Sequence, residues 1–368
     1  MPNRTPHRPS RALAVALALP LVLALAACGS SSSSSTSSAS AASSSSDSST
    51  SGSNTAAAST APATKTKVRI SLDYSANVDY LGIYAAINNG YFAAQGIDPV
   101  IIPYANTPAE PLIQSGKTDL GITYPPDVII NRAQGLKYKA VAALVAGNTT
   151  DLAVLASSKY TRPAQLNGLL YGGFGVSSDP PIVSAILHGD GVAKPVFKQV
   201  VLDTDVIDAL SKNRVQYTAV FGGIDDVTAA LQGVKLRTFP YKNYLGAGGN
   251  YPNAVFAASD SEIANNGPTL AHALKALAEG YEFAAHNPAA AEQILIKDNP
   301  TALAHSQQIV TATGNATAPT FLDKAGVWGP LNDEDFSGLE AILSKGGVVK
   351  GALPAVSDLY TNSLLPTG

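Results

Sequence analysis

Tyrosines and aspartates stand directly after short apolar runs of this sequence. The alternating run Lys67 to Leu72 is followed by Asp73 and Tyr74, and the run Asp119 to Thr123 is followed by Tyr124. A phenol ring stacks on a flat molecule, and a carboxylate accepts hydrogen bonds from an amine. This combination favours binding of a flat, nitrogen-bearing molecule that is neutral or cationic.

The same residue types recur in the other loops where a sheet would bind a ligand. Open α/β sheets bind ligands beyond the carboxyl ends of their strands, where helix N-termini also present free N–H groups. This rule predicts a ligand site assembled from several loops. Its candidate residues are Asp73, Tyr74, Asn77, Tyr80, Tyr104, Thr123, Tyr124, Asp127, Ser177, Ser178, Asp179, Gly223, Asp225, Asp226 and Tyr251.

These loops contain no arginine or lysine. Helix N-termini alone could hold a sulfonate, phosphate or nitrate, but a guanidinium is the commoner partner of such anions. An anion is therefore the second hypothesis for the ligand. The acids also have ordinary structural roles open to them, since Asp73 and Asp127 suit turns or caps and Asp225 and Asp226 suit a helix start.

Sequence motifs for catalysis are absent. The turn Gly173-Phe174-Gly175 lacks the third glycine of a dinucleotide loop and precedes Asp179-Pro180-Pro181, where a helix should open. The chain has neither a Gly-x-Ser-x-Gly nor a His-Glu-x-x-His motif. We predict a protein that is not an enzyme and uses no cofactor or metal. The net charge of −3 does not favour nucleic acid as a partner.

The N-terminus has the layout of an export signal. Arg4, Arg8 and Arg11 precede the apolar run Ala12 to Ala27, which ends at Cys28, the only cysteine. The sequence Leu25-Ala26-Ala27-Cys28 resembles the lipobox of bacterial lipoproteins, which implies a signal peptide over 1–27 and a lipidated Cys28. The Ser/Ala-rich stretch over 28–66 is predicted to be a disordered tether. Several acyl chains would anchor the protein stably to the outer face of the cell membrane.

The elements that must position the candidate residues alternate between strands and helices. Apolar runs of strand length are separated by segments with helical spacing, which predicts mostly parallel sheets covered by helices. One stripe, Leu270 to Tyr281, is predicted to be the core face of a helix. The roughly 300 residues after the tether exceed what one core usually holds, so two lobes are expected.

Short steps of glycine and aromatic residues recur in a fixed order along the chain. They are Leu72-Asp73-Tyr74, Gly82-Ile83-Tyr84, Gly90-Tyr91-Phe92, Gly96-Ile97-Asp98, Gly116-Lys117-Thr118-Asp119, Gly121-Ile122-Thr123-Tyr124, Ala219-Val220-Phe221-Gly222-Gly223 and Asp358-Leu359-Tyr360-Thr361-Asn362. In this order and spacing, almost the whole folded part resembles the thiamine-precursor and alkanesulfonate branch of periplasmic solute-binding proteins, a group named for a yeast relative in thiamine pyrimidine synthesis.

The resemblance implies a type II periplasmic-binding-protein fold. In that α/β fold two lobes close on a ligand in the cleft between them, and the chain crosses between the lobes twice. We expect lobe 1 to combine 67–152 with 258–368 and lobe 2 to span 158–252. The crossings are expected at 153–157 and 253–257.

The resemblance also implies a monomeric receptor that delivers a small organic ligand to the permease and ATPase subunits of an ABC importer. An aminopyrimidine precursor of thiamine matches the tyrosine and aspartate loops best. The alternatives are a receptor for sulfonate-type or nitrate-type anions, a ligand-binding sensor, and a pyrimidine-synthesis enzyme on the same fold. The chain departs from the pyrimidine branch at Tyr80, where that branch often has histidine, and at Thr228, where it often has glutamate.

Overall fold

A computed structural model of the chain describes residues 65–202 and 205–367. The predicted signal peptide, Cys28 and the tether to residue 64 lie outside the described residues. Among the helices of the described part, none is long and apolar enough to cross a membrane.

Strands and helices alternate along the chain, as the hydrophobic pattern predicts. The strands are β1 (Thr66–Ser71), β2 (Ile97–Ile102), β3 (Leu120–Thr123), β4 (Tyr138–Ala143), β5 (Thr150–Leu155), β6 (Leu170–Gly173), β7 (Lys198–Val201), β8 (Tyr217–Phe221), β9 (Leu236–Pro240) and β10 (Val255–Ser259). The α-helices are α1 (Leu81–Asn88), α2 (Tyr91–Ala94), α3 (Ala109–Gln114), α4 (Pro125–Ala133), α5 (Asp179–Gly189), α6 (Val206–Ser211), α7 (Asp225–Leu231), α8 (Asp260–His286), α9 (Pro288–Asp298), α10 (Gln307–Thr317), α11 (Asp333–Lys345) and α12 (Val356–Leu359). Short 3-10 turns lie at Val78–Tyr80, Pro163–Leu166, Tyr241–Asn243, Gly246–Gly249 and Ala318–Phe321.

The strands form two five-stranded sheets with the same topology. The first sheet has the order β2-β1-β3-β10-β4, and the second has the order β7-β6-β8-β5-β9. Each sheet is parallel except for one strand, β10 in the first and β5 in the second, which runs antiparallel to both of its neighbours. The carboxyl ends of the other four strands therefore lie at one edge of each sheet, as parallel pairing requires. The prediction of an α/β fold is confirmed.

The C-terminal third covers the first sheet with helices. The predicted core stripe from Leu270 to Tyr281 lies on α8, and its apolar residues are fully buried. Helices α1 and α8 touch backbone to backbone, because a Cβ on Gly280 would lie 2.2 Å from the carbonyl oxygen of Gly82. The ring of Tyr281 stacks on Trp328 with 5.1 Å between centroids. These contacts hold α1 against α8, and α1 directly follows the loop after β1.

The chain passes from the first sheet to the second through residues 144–149 and returns through 241–254. The first expected crossing, 153–157, overlaps β5 of the second sheet, and the second, 253–257, overlaps β10 of the first. Both expected segments are apolar runs, and a central strand has the same pattern as an apolar linker. The division of the chain into lobes stays a prediction.

Candidate functional site

A cavity of about 430 Å³ lies where the strand ends of both sheets meet. Its walls come from the loops after β1, β3 and β4 of the first sheet and after β6, β7, β8 and β9 of the second. Of the predicted site residues, those that line it are Asp73, Tyr74, Asn77, Tyr80, Tyr124, Asp127, Ser178, Asp179, Asp225 and Tyr251. Ligand contact at these positions stays a prediction, but the structure gathers them in one place.

Asp73 is held by two phenols. The hydroxyls of Tyr80 and Tyr124 donate to its two carboxylate oxygens at 2.9 and 2.5 Å. The Tyr80 hydroxyl also accepts the backbone N–H of Tyr74 at 2.9 Å. Burial raises the pKa of Tyr80 and Tyr124, and the nearby Asp73 charge raises both further, so both phenols stay protonated and keep donating. Asp73 therefore organises the loop after β1.

Asp79 lines the cavity and was not predicted from the sequence. It lies in the 3-10 turn Val78–Tyr80. Asn77 is the N-cap of this turn, and its side-chain oxygen accepts the N–H of Asp79 at 2.8 Å. Burial, followed by the negative charges of Asp73 and Asp225, raises the pKa of Asp79 to about 7. A signal was available in the sequence, because Asp79 shares the acidic, tyrosine-containing loop that follows the first strand.

Asp127 lies in the first turn of α4, a helix that opens with Pro125. Burial raises its pKa to about 7, and the charges of Glu110 and Asp179 add to the shift. An acid in the first turn of a helix is normally stabilised in its charged form. Here desolvation and two neighbouring acids outweigh that effect.

Two further carboxylates come from the second sheet and brace their own loops. Asp179 accepts the backbone N–H of Phe174 at 2.8 Å, and Asp225 accepts that of Phe221 at 2.7 Å. Burial raises the pKa of each to about 6, against the effect of these hydrogen bonds. Asp225 lies in the first turn of α7 but caps no N–H of that helix, so the helix-cap role expected as the ordinary alternative is not the one it has; its side chain closes the turn after β8 instead.

Aromatic rings from both sheets line the cavity. Tyr74 is 53% exposed, and the ring of Phe174 stacks on Phe221 with 5.8 Å between centroids. Tyr241 and Tyr251 are buried residues of the return crossing. Phe174, Phe221 and Tyr241 were missed in the sequence, since only the fold brings these separate loops together.

Five predicted residues do not line the cavity: Tyr104, Thr123, Ser177, Gly223 and Asp226. Tyr104 packs against Tyr74 with 5.8 Å between ring centroids, so it supports a lining residue. Thr123 is buried, and its hydroxyl donates to Glu110. Ser177 lies at a separate shallow depression beside α4. Asp226 accepts a hydrogen bond from the N–H of Gly223 at 2.6 Å, so both residues stabilise the turn after β8.

The two crossing segments are joined at the cavity by Asn253. Its side-chain oxygen accepts from the backbone N–H of Thr149 at 3.0 Å and from the hydroxyl of Thr150 at 3.2 Å. Its side-chain nitrogen donates to the hydroxyl of Thr149 at 2.5 Å. All three residues line the cavity, so a ligand would touch the segments that connect the sheets.

All the charged side chains that line the cavity in the described part of the chain are acidic. Five aspartates line it, and no lysine, arginine or histidine is present among its lining residues in the described part of the chain. Close carboxylates that lack a cation raise one another's pKa. The wall is therefore suited to molecules that bring positive charge or N–H donors.

Two sheets of this topology, with a cavity at their facing strand ends, define the class of two-lobe periplasmic binding proteins. Within that class, residues 77–291 match the family model described as NMT1/THI5 like, and since this is more than half of the 368 residues, the chain belongs to the NMT1/THI5-like family. The predicted resemblance and fold are confirmed.

A curated relative is the formylaminopyrimidine-binding protein of Halalkalibacterium halodurans. It is 29% identical over 238 residues, which cover 63% of this chain and 71% of the relative. Among solved structures, the periplasmic aliphatic sulphonate binding protein SsuA of Escherichia coli has a TM-score of 0.62 at 15% identity, covering 81% of this chain and 98% of that one. The alkanesulfonate-binding protein SsuA of Xanthomonas axonopodis pv. citri, bound to MOPS, has a TM-score of 0.60 at 13% identity, covering 80% and 98%. These two structures share the fold.

Proposed function

We propose that the chain is an extracytoplasmic receptor that captures a small nitrogen-bearing aromatic molecule of the aminopyrimidine type and delivers it to an ABC importer. The observation that carries the proposal is the cavity wall, where tyrosine and phenylalanine rings accompany five aspartates and no cationic side chain among the described lining residues. A curated relative described as formylaminopyrimidine-binding supports the ligand class. The receptor performs no chemistry on its ligand and is anchored through lipid at Cys28.

The wall favours this ligand class over an anion. A sulfonate in the cavity would meet Asp73, Asp79 and Asp127 without a guanidinium or ammonium to balance its charge. An aminopyrimidine would instead donate N–H bonds to carboxylates while its ring stacks on a phenol or phenyl face. The likeness to sulfonate-binding structures is one of fold, at 13 to 15% identity.

A ligand screen on the purified chain tests the proposal. Aminopyrimidines, unsubstituted pyrimidine, simple amines, alkanesulfonates and nitrate are compared by thermal shift, and hits are measured by calorimetry. We expect aminopyrimidines to raise the melting temperature and to be recovered unchanged. Stabilisation by anions alone would refute the ligand class, and formation of a product would refute the receptor.

Tyr124→Phe locates the site within the chain. It removes a hydroxyl from the cavity wall and one of the two phenol donors that position Asp73, while keeping the ring, so we expect ligand affinity to fall by up to about tenfold. Tyr91→Phe, at a half-buried position of α2 that does not line the cavity, is the matched control and should bind like the parent chain. Equal affinity in both variants would place the ligand elsewhere.

The lipid anchor is tested separately. Cys28→Ala should abolish incorporation of labelled fatty acid and move the protein from the membrane fraction to the soluble extracytoplasmic fraction. If the variant stays with the membrane, the anchor is not the lipid at Cys28.

A further inference from the structure

The five cavity aspartates divide into two groups by their hydrogen bonds. Asp73, Asp179 and Asp225 already accept bonds from this chain, from two phenols and from backbone N–H groups. The carboxylates of Asp79 and Asp127 accept no hydrogen bond from any residue that the structure describes. Asp79 uses only its backbone N–H and carbonyl, and Asp127 likewise bonds only through its backbone, the carbonyl accepting from the Tyr138 hydroxyl at 3.2 Å.

These two carboxylates have the polar capacity that a ligand could use. A carboxylate has several acceptor positions, and leaving them empty in a desolvated site is costly. Both groups line the cavity and are partly buried. The other three aspartates have fewer free acceptor positions for a ligand. Asp73, for example, already accepts a hydrogen bond at each of its two oxygens.

Each free carboxylate is also opposed by a carboxylate of the second sheet. Asp79 belongs to the β1 loop, and the charge of Asp225, at the start of α7, acts on it. Asp127 belongs to α4, and the charge of Asp179, at the start of α5, acts on it. The other charges that act on them, Asp73 and Glu110, are negative as well. The cavity thus gathers carboxylates from loops of both sheets at one wall, with no cationic side chain among the lining residues that the structure describes.

We propose that Asp79 and Asp127 are the specificity-determining residues of the site, each binding one positively charged or N–H-rich end of a ligand with two such ends. The inference rests on the proposed function and goes beyond it, because it selects among pyrimidines. An aminopyrimidine with a free, protonated aminomethyl substituent has two suitable ends, the amine and the amidine-like edge of the ring. Its N-formyl derivative has lost the charge of one end.

The charged amine is expected to bind more tightly than the formamide because it supplies more N–H donors and a positive charge. An ammonium group donates three N–H bonds and cancels the charge of the carboxylate that it meets. A formamide donates one and leaves the charges of the neighbouring acids uncompensated, which costs binding free energy when the cavity closes around it.

The test compares the aminomethyl pyrimidine with its N-formyl derivative by calorimetry on the full chain at pH 8. We expect the amine to bind at least about tenfold more tightly, as for a charge-assisted against a neutral hydrogen bond. Asp79→Asn and Asp127→Asn should each weaken the amine by about tenfold or more, and in one of them the preference over the formyl compound should disappear. Glu282→Gln, at an exposed position of α8, is the matched control and should change neither affinity.

The outcomes separate this inference from the proposed function. If both pyrimidines bind with equal affinity, or the formyl compound binds more tightly, the receptor stands and the inference is wrong. If neither pyrimidine binds, both are wrong. If the Asn variants keep the melting temperature of the parent or exceed it and still bind the amine as tightly as the parent, the assignment of Asp79 and Asp127 to ligand binding is refuted.

Discussion

Removing one unpartnered charge from the cavity should stabilise the ligand-free protein. Asp79 has a pKa of about 7 against 3.8 for the group in water, a rise of about three units at 1.36 kcal/mol each. Keeping this carboxylate charged in the folded state therefore costs up to about 4 kcal/mol at pH 8. Asn keeps the size and polarity but not the charge. Since Asp79 is half-buried and water in the cavity reduces both the desolvation of its charge and the repulsion by Asp73 and Asp225, we expect Asp79→Asn to gain about 1–2 kcal/mol.

The pH dependence of this gain has a definite sign. The folded-state pKa lies above the unfolded one, so below pH 4 both states are protonated and Asp79 costs nothing. The cost grows as the pH rises from 4 to about 7 and is constant above that. The advantage of Asp79→Asn should consequently be largest at pH 8 and should vanish near pH 4.

Urea unfolding of parent and variant at pH 8, 6 and 4, without ligand, measures this difference. At pH 8 a gain of 1–2 kcal/mol corresponds to a rise of roughly 2–6 °C in melting temperature for a domain of this size. Glu282→Gln should show no pH-dependent difference, because Glu282 lies at the surface. A variant that is less stable than the parent at pH 8 would show that the Asp79 carboxylate has a stabilising partner, and the reasoning on repulsion would fail.

Two further substitutions test the contacts that hold the site in place. Gly280→Ala should destabilise the chain by about 2 kcal/mol or more in urea unfolding, because its Cβ would overlap the carbonyl of Gly82, whereas Gly267→Ala on the same helix meets only ordinary contact at 3.6 Å and should be neutral. Asn253→Ala should cost about 1–3 kcal/mol, because it leaves the N–H of Thr149 unpaired, and should weaken ligand binding; unchanged affinity would show that the tie between the crossings is independent of the cavity.

Local pattern was enough to bring Asp73 and Tyr124 to the strand ends that line the cavity, where ligand contact stays a prediction. Both follow a strand whose apolar pattern is clear, and parallel strands bring their carboxyl ends to one edge. The same reasoning located Asp127, Asp179 and Asp225 at helix starts. The strand-end rule succeeds for these residues because the position of each depends on a single strand and the loop that follows it.

The other cavity residues could not be predicted from the sequence, because their positions depend on turn geometry and on long-range packing. Asp79 and Asp226 are both acids in loops after strands, yet the 3-10 turn directs one into the cavity while a hydrogen bond to Gly223 holds the other in its turn. The pairing of Phe174 with Phe221 follows from the adjacency of β6 and β8, which are separated in sequence by α5, β7 and α6. The expected crossings overlap β5 and β10, because a central strand is as apolar as a linker.

The arrangement of the acids predicts that ligand charge affects the lobe closure that the fold implies. Asp79 and Asp127, from loops of the first sheet, line one cavity with Asp179 and Asp225, from loops of the second, so like charges on its two sides disfavour their approach when the cavity is empty. A ligand shifts a conformational equilibrium only by the difference in its affinity for the two states. A ligand that places positive groups between these acids gains most when the acids are closest, and so it favours the closed state. A neutral ring would stack on the tyrosines but would leave that repulsion in place.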